Sequence, residues 1–239
     1  YGQIGDGTQE VRTLPVTVFN STTNPALGVK AIAAGMNQSC AVLTDGNVAC
    51  WGGVDLYEGS VVVTRTVPTL IIGLNGGASE VVVGAQHGCA LLITGAVQCW
   101  AITTDPYGYS NSDLVTDTTP VDIEGLTSDI QSITTGSDHL CALTTAGGVK
   151  CVGNNSYGQL GDGTTDSRRN AMDVAGLSSG VLDVRANADH TCALLNSGAV
   201  QCWGNNYSGQ LGDGSTSSRS LPVNVVGLSS GIISVAAGG

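Results

Sequence analysis

Eight cysteines in four evenly spaced pairs hold the clearest chemistry in this 239-residue chain. The pairs are Cys40/Cys50, Cys89/Cys99, Cys141/Cys151 and Cys192/Cys202, each written Cys-x9-Cys. Thiols in such pairs can bridge, stay free and buried, or ligate a metal. Zinc prefers cysteines two to four residues apart, with four ligands converging. Here successive pairs lie about fifty residues apart, so four ligands do not easily meet. We expect four disulfides, paired 40–50, 89–99, 141–151 and 192–202, with free thiols and metal as the rival readings. Each bridge closes a loop of about eleven residues and contributes roughly 2–3 kcal/mol on the chain-entropy account.

Three other residue types repeat with the cysteines. His87, His139 and His190 each stand two residues before the first cysteine of a pair, and Asn37-Gln38-Ser39 fills that place in the first unit. A catalytic histidine needs a unique partner, so one imidazole per repeat reads as a structural group bonded to backbone at a turn. A ring of pH-sensitive histidines is the rival reading. Asp6, Asp162 and Asp213 sit in Gly-Asp-Gly-Thr/Ser strings. Calcium needs six to eight oxygens, usually from several carboxylates, so one aspartate per loop reads as an Asx-type turn. Trp51, Trp100 and Trp203 follow the second cysteine, and Val152 takes that place in the third unit. The valine points to packing rather than ligand stacking. No nucleophile elbow, phosphate loop, HExxH or paired-carboxylate motif occurs. We therefore expect no catalytic, cofactor-binding or metal-binding residues, no cofactor and no enzyme activity. Asn20, Asn37, Asn154 and Asn206 head Asn-x-Ser/Thr triplets that could carry N-glycans.

The elements that position these residues follow from the repeat. The copies read Cys40-AVLTDGNVA-CWGG, Cys89-ALLITGAVQ-CWAI, Cys141-ALTTAGGVK-CVGN and Cys192-ALLNSGAVQ-CWGN. Each is an apolar run, a turn with glycine, and a second apolar run, which is a β-hairpin pattern. A three-residue loop with one bulged residue sets the two cysteines opposite each other on one side of the hairpin. Their Cβ atoms then approach the roughly 4 Å that a disulfide requires. Tyr157-GQLGDGT and Ser208-GQLGDGS follow two hairpins, and the chain opens on Tyr1-GQIGDGT. Extended pieces come next: Pro68-TLIIGL, Pro120-VDIEGL, Ala171-MDVAGL, Pro222-VNVVGL, and a weaker copy after Pro15. Alternating strands complete the cycle at Val29-KAIAAG, Ser79-EVVVGA, Ile130-QSITTG, Val181-LDVRAN and Ile232-ISVAAGG. No stretch has a capped 3.6-residue period, so almost no helix is expected. Four strands per fifty residues is the size of a propeller blade, whose faces are covered by its neighbours. The fold class expected is all-β: a β-propeller of four-stranded blades in one domain, residues 1–239.

The net charge is −11, and charged residues make up only 11% of the chain. Eight Lys and Arg spread thinly leave no basic stripe, which argues against nucleic acid and against an anionic membrane surface. No apolar run is long enough for a membrane span, and no secretory leader is visible. Residue 1 falls inside a repeat, so upstream sequence is expected. Paired cysteines and a hydroxyl-rich, charge-poor surface suit an oxidising place, extracellular or at a cell surface.

The segment His190-TCALLNSGAVQCWGNNYSGQLGDGSTSSRSLPVNVVGL resembles a repeat of the regulator of chromosome condensation family. That family's pattern runs His-x-x-Ala-Leu, Trp-Gly-x-Asn, Gly-Gln-Leu-Gly and Pro-x-x-Val. The resemblance covers essentially the whole chain and is most specific in the last two units. It weakens near residues 51–66, where Gly52-GVDLYEGS stands, and near 101–119. It implies a β-propeller, usually of seven blades. The cysteine-bearing variety is similar to that of bacterial cell-surface proteins. The family's namesake is a nuclear exchange factor for a small GTPase that also binds chromatin. An acidic, cysteine-paired chain without an inserted wedge-like segment opposes that role. Gln86, Asp138 and Asp189 precede the histidines where the family's plant ultraviolet photoreceptor has tryptophans, so light sensing is not implied. A secreted bacterial relative that inhibits β-lactamases implies that the fold can serve as a binding surface outside cells.

The parts do not make whole units. Five extended segments and five alternating strands accompany only four hairpins, which amounts to four complete units plus a split one lacking its hairpin. Three readings stand: part of a longer chain, perhaps of seven units; a vacant hairpin place filled by another chain, giving head-to-tail polymers; or a five-bladed ring closed by unusual pairing. The function expected is a non-enzymatic surface or structural protein that binds a protein partner or itself. A secreted binding or inhibitor module is the alternative, and an enzyme with a site at the axial mouth is the lesser one.

Overall fold

The computed structural model describes residues 2–18, 28–53, 64–101 and 119–238. It contains strands and turns, with no helix among the described residues. Four four-stranded sheets follow one another along the chain, each an antiparallel meander in sequence order. The first holds β1 (Val29–Ala34), β2 (Gln38–Leu43), β3 (Val48–Gly52) and β4 (Arg65–Leu70). The second holds β5 (Ala78–Val83), β6 (His87–Leu92), β7 (Val97–Ala101) and the short β8 (Val121–Asp122). The third holds β9 (Ile130–Thr135), β10 (His139–Thr144), β11 (Val149–Gly153) and β12 (Arg168–Asp173). The fourth holds β13 (Val181–Asn187), β14 (His190–Leu195), β15 (Val200–Gly204) and β16 (Arg219–Asn224). These are the blades that the repeat predicts. β1–β8 belong to one compact unit and β9–β16 to a second.

In every blade the Cys-x9-Cys segment is the middle hairpin. Its loop has three residues and ends on a glycine in the left-handed region, such as Gly198 at φ 77°. The paired bonds Leu195 N–H to Ala199 O and Gly198 N–H to Leu195 O close the loop around Asn196-Ser197-Gly198. Only glycine adopts that φ without strain, and the bulge it makes sets the register. The register places Cys40 opposite Cys50, Cys89 opposite Cys99, Cys141 opposite Cys151 and Cys192 opposite Cys202. All four pairs are bridged, with Cα atoms about 4.0–4.1 Å apart.

Hairpin strands are buried along nearly their whole length, as in β6 and β7, while first strands such as β13 alternate. The reason is packing between neighbouring blades within each unit. Such strands read as unbroken small or apolar runs rather than as alternation. In the first unit Val42, Val48 and Ile71 pack with Ala78, Val81, Ala90 and Trp100 of the next blade. In the second unit Leu143, Val149, Leu160 and Val174 pack with Val181, Val184, Ala193 and Trp203. Residues 2–18 and 231–238, which the repeat assigns to the split unit, form no strand pair.

Candidate binding surface at the blade interfaces

The third and fourth blades are fastened by one backbone carbonyl in the GQLGDG loop. Gln159 O, in the loop between β11 and β12, accepts from Trp203 Nε1 at 2.8 Å and from the Thr191 hydroxyl at 3.1 Å. Both donors belong to the next blade and flank its disulfide. The same device recurs at the start of the chain. Gln3 O accepts from Trp51 Nε1 at 2.9 Å and from the Ser39 hydroxyl at 3.0 Å. Thr191 also links the preceding blade's histidine, because His139 Nε2 lies 2.9 Å from its oxygen. The single hydroxyl proton of Thr191 goes to Gln159, so His139 Nε2 donates. The loop backs directly onto the indole: a Cβ on Gly161 would stand 2.8 Å from Trp203 Nε1, and Gly161 has φ 69°.

A second device holds each loop in shape. Asp162 Oδ1 accepts from the Thr164 amide at 2.9 Å and its hydroxyl at 2.7 Å, which is the expected Asx-type turn. Asp162 Oδ2 also meets Arg168 at 2.9 Å. Asp213 repeats this with Ser215 and Arg219, and Asp6 with Thr8 and Arg12. The Ser215 hydroxyl and then Arg219 hold the Asp213 carboxyl down at about 2. The Thr8 hydroxyl and Arg12 likewise lower Asp6. Burial pushes Asp162 up, and Thr164 and Arg168 outweigh it, leaving the carboxyl below its ordinary value. The carboxylates' acceptor sites are filled by protein, which leaves a turn clamp rather than an open ligand set. Among the described residues no group of three or more His, Cys, Asp or Glu gathers as a metal site.

Asn155 and Asn206 sit at the centre of these loops and are fully buried. Asn206 Nδ2 donates to Asp213, Ser215 and Ser217, and its Oδ1 accepts from the Leu211 amide at 2.9 Å. The triplet headed by Asn206 therefore offers no accessible amide for a glycan in this fold. Asn154 Oδ1 accepts from the Ser156 amide and from Gln159 Nε2. Asn37 is partly exposed, and Asn20 lies outside the described residues.

The histidines are interior groups. His87 and His139 are fully buried and His190 nearly so. Burial alone pulls His87 down to about 4. Burial also lowers His190 against the opposing charge of Asp189, whose own carboxyl burial raises. His139 bonds a side-chain hydroxyl of the next blade, where the sequence pointed to backbone at a turn. The three tryptophans are buried as packing groups, and Val152 is buried in the same place. Their hydrogen-bonding duty was not evident from residue type. The repeated offsets Asp6/Arg12, Asp162/Arg168 and Asp213/Arg219 were a readable signal for the loop clamp, as was Asn155/Asp162 repeated at Asn206/Asp213.

The third blade carries Leu140 and Val152 at the positions of Thr191 and Trp203, and two further places break the pattern. Trp100 is buried, yet its Nε1 has no hydrogen-bond partner among the described residues. Gly88 stands where Ser39 and Thr191 carry hydroxyls, and the preceding loop is where the sequence departs from GQLGDG. The second place is the far side of the fourth blade. Residues 231–238 lie beside that blade as a first strand would. Ile232 N–H donates to Gly198 O, as Val181 N–H does to Gly147 O. Ile232 and Val235 pack on the core of Cys192, Leu194, Val200, Cys202 and Leu211, as Val181 and Val184 do one blade earlier. Nothing among the described residues takes the places of Ala193 and Trp203. Gln210 is exposed where Gln159 is fully buried, and Ile233 is 95% exposed.

The comparisons agree with these parts. The Regulator of chromosome condensation (RCC1) repeat model matches residues 147–194 and 197–239, and a second model of the same repeat matches 130–159 and 181–210. A human protein named probable E3 ubiquitin-protein ligase HERC4 is 39% identical over 94 residues, covering 38% of this chain and 9% of that protein. Human E3 ubiquitin-protein ligase HERC2 is 34% identical over 105 residues, 43% of this chain and 2% of that protein. The chain thus spans under a tenth of the length of these relatives. Human WBSCR16 superposes with a TM-score of 0.56 at 17% identity, over 89% of this chain and 71% of that one. Yeast RCC1 (Prp20), solved bound to Kap60, gives 0.56 at 15% identity, over 84% and 61%. The ectodomain of the Physcomitrella patens receptor kinase CR4 gives 0.53 at 20% identity, over 80% and 44%. At such identities the likeness is one of fold. Residues 130–239 thus carry regulator of chromosome condensation repeats, and the described residues share the all-β fold of the RCC1 propellers.

Proposed function

We propose that this chain, residues 1–239 acting as one propeller domain, is a non-enzymatic protein-binding scaffold that works outside the reducing cytosol, in secreted or cell-surface form. The observation that carries the reading is the array of disulfide-closed four-stranded blades, a fold shared with yeast RCC1 (Prp20), which was solved bound to Kap60. The partner is another protein or a further copy of this chain. The structural relative solved with Kap60 bound supports protein recognition by this fold. Four buried disulfides support the oxidising location.

Two measurements test it. Thiol titration of denatured, unreduced protein from its own source should find no free thiol, and eight reactive thiols overturn the location. Photo-crosslinkers at the exposed hairpin tips Asp45, Thr94, Ala146 and Ser197 should give a polypeptide adduct in the source cells. No adduct at any of them overturns the scaffold reading.

A further inference from the structure

We propose that Tyr157 and Tyr207 form an oxidative crosslinking site, where peroxide couples the two rings into a dityrosine staple between the third and fourth blades. The step is independent of the partner binding proposed above.

Two tyrosines lie among the described residues, and they meet. Each stands just ahead of the GQLGDG string of its blade, and fifty residues of sequence separate them. Their ring centroids are 5.7 Å apart and the ring planes cross at 86°. Tyr157 follows the buried Asn155, and its amide donates to Gln159 Oε1 at 2.9 Å. Tyr207 follows the buried Asn206, and its amide donates to Asn205 Oδ1 at 3.0 Å. The loop of Tyr157 is seated on the fourth blade. Gly163 N–H donates to Ser220 O at 2.9 Å, and a Cβ on Gly158 would stand 2.8 Å from Arg219 O. That seat sets the two rings side by side.

The pair is open to solvent. Tyr207 is 70% exposed and Tyr157 partly so. Tyr207 aligns with Ser156, which stays exposed although the fourth blade is seated against its loop. By that pattern a further blade would meet Ser208 and leave Tyr207 open. All eight cysteines are bridged, so no thiol stands ready to reduce a tyrosyl radical. Each disulfide closes a hairpin within one blade, and none joins two blades.

The oxidant is hydrogen peroxide acting through a haem peroxidase. Each phenol gives up one electron and its hydroxyl proton, and peroxide takes two of each to become two waters. The unpaired electron of each radical spreads to the ring carbons ortho to the oxygen. One C–C bond forms between an ortho carbon of each ring. Each coupled carbon then passes its hydrogen to its own ring's oxygen, which restores both phenols. The net change is two ring C–H bonds broken and one ring–ring bond formed. Exposed side chains turn within picoseconds to nanoseconds, so the Tyr207 ring reorients while it stays beside its partner. Rings held together couple with each other ahead of rings on other molecules.

The test treats the dilute full chain with hydrogen peroxide and a haem peroxidase, in buffer and in concentrated urea. In buffer, peptide mass spectrometry should find Tyr157 joined to Tyr207 with the loss of two hydrogen atoms, in protein that remains monomeric and gains dityrosine fluorescence. Tyr157→Phe and Tyr207→Phe keep the ring contact and lose the phenol, so each should lower that fluorescence by about tenfold or more. In urea the pair should lose its preference over Tyr1, Tyr57, Tyr107 and Tyr109. The stapled product should melt several degrees above Tyr207→Phe treated alike, because the bond closes a long loop between blades. No crosslink, preference for another tyrosine, coupling only between molecules, or an equal yield of the pair in urea overturns the proposal. A stapled product that melts with treated Tyr207→Phe overturns it as well.

Discussion

At the scale of the residue, burial and hydrogen-bond completeness set what each side chain does. His87 is fully buried and held near 4, against 6.5 in the unfolded chain. Between those values the unfolded chain takes up a proton that the folded one refuses. Stability is therefore full above about pH 6.5 and falls as pH drops toward 4, by on the order of 3 kcal/mol. Urea midpoints at pH 7 and 4.5 should show this slope, and His87→Gln should flatten it. The tryptophans offer a paired comparison. Trp203→Phe leaves the buried Gln159 carbonyl without its indole donor and should lose about 1–3 kcal/mol. Trp100→Phe removes an indole N–H that has no partner among the described residues, so it should be near neutral or stabilising. Equal losses for both variants would refute the assigned roles.

At the scale of the element, the hairpin and the GQLGDG loop behave as a matched pair. The glycine at the end of each hairpin loop sets the register, the register sets the cysteines opposite each other, and the bridge fixes the Thr and Trp beside it. Gly161→Ala should break the match from the loop side. The residue has positive φ, and its new Cβ would meet the Trp203 indole. Strain and overpacking together amount to about 2–4 kcal/mol, readable as a lowered melting temperature. This pairing also shows what was legible in the chain. The cysteine register and the Asx-type turn at Asp162 follow from turn chemistry and local spacing. The Trp203 to Gln159 bond spans 44 residues and uses a backbone carbonyl, which no residue type advertises. The histidines illustrate the same limit. Their structural character could be read from repetition, whereas their burial could not, and the Thr191 partner of His139 lies in another blade.

At the scale of the whole molecule, exposure of the bridges should rank their chemistry. The first three disulfides have cysteines with no exposed surface, whereas Cys192 and Cys202 keep 6% and 3%. A water-soluble reductant should therefore open Cys192–Cys202 first. Timed alkylation with peptide mass spectrometry would show it, and simultaneous loss of all four bridges would contradict it.

The amino-acid sequence alone determined the blades, because repeat period, turn glycines and cysteine spacing are local and are repeated four times. It also determined the oxidised pairing geometry, which depends only on a three-residue loop. Which side chains meet a loop carbonyl was decided by the tertiary structure. The grip of Gln159 O on Trp203 and Thr191 is invisible in the string Tyr157-GQLGDGT. The contact comes from what packs against the loop, and packing partners distant in the chain are set by how the blades stack.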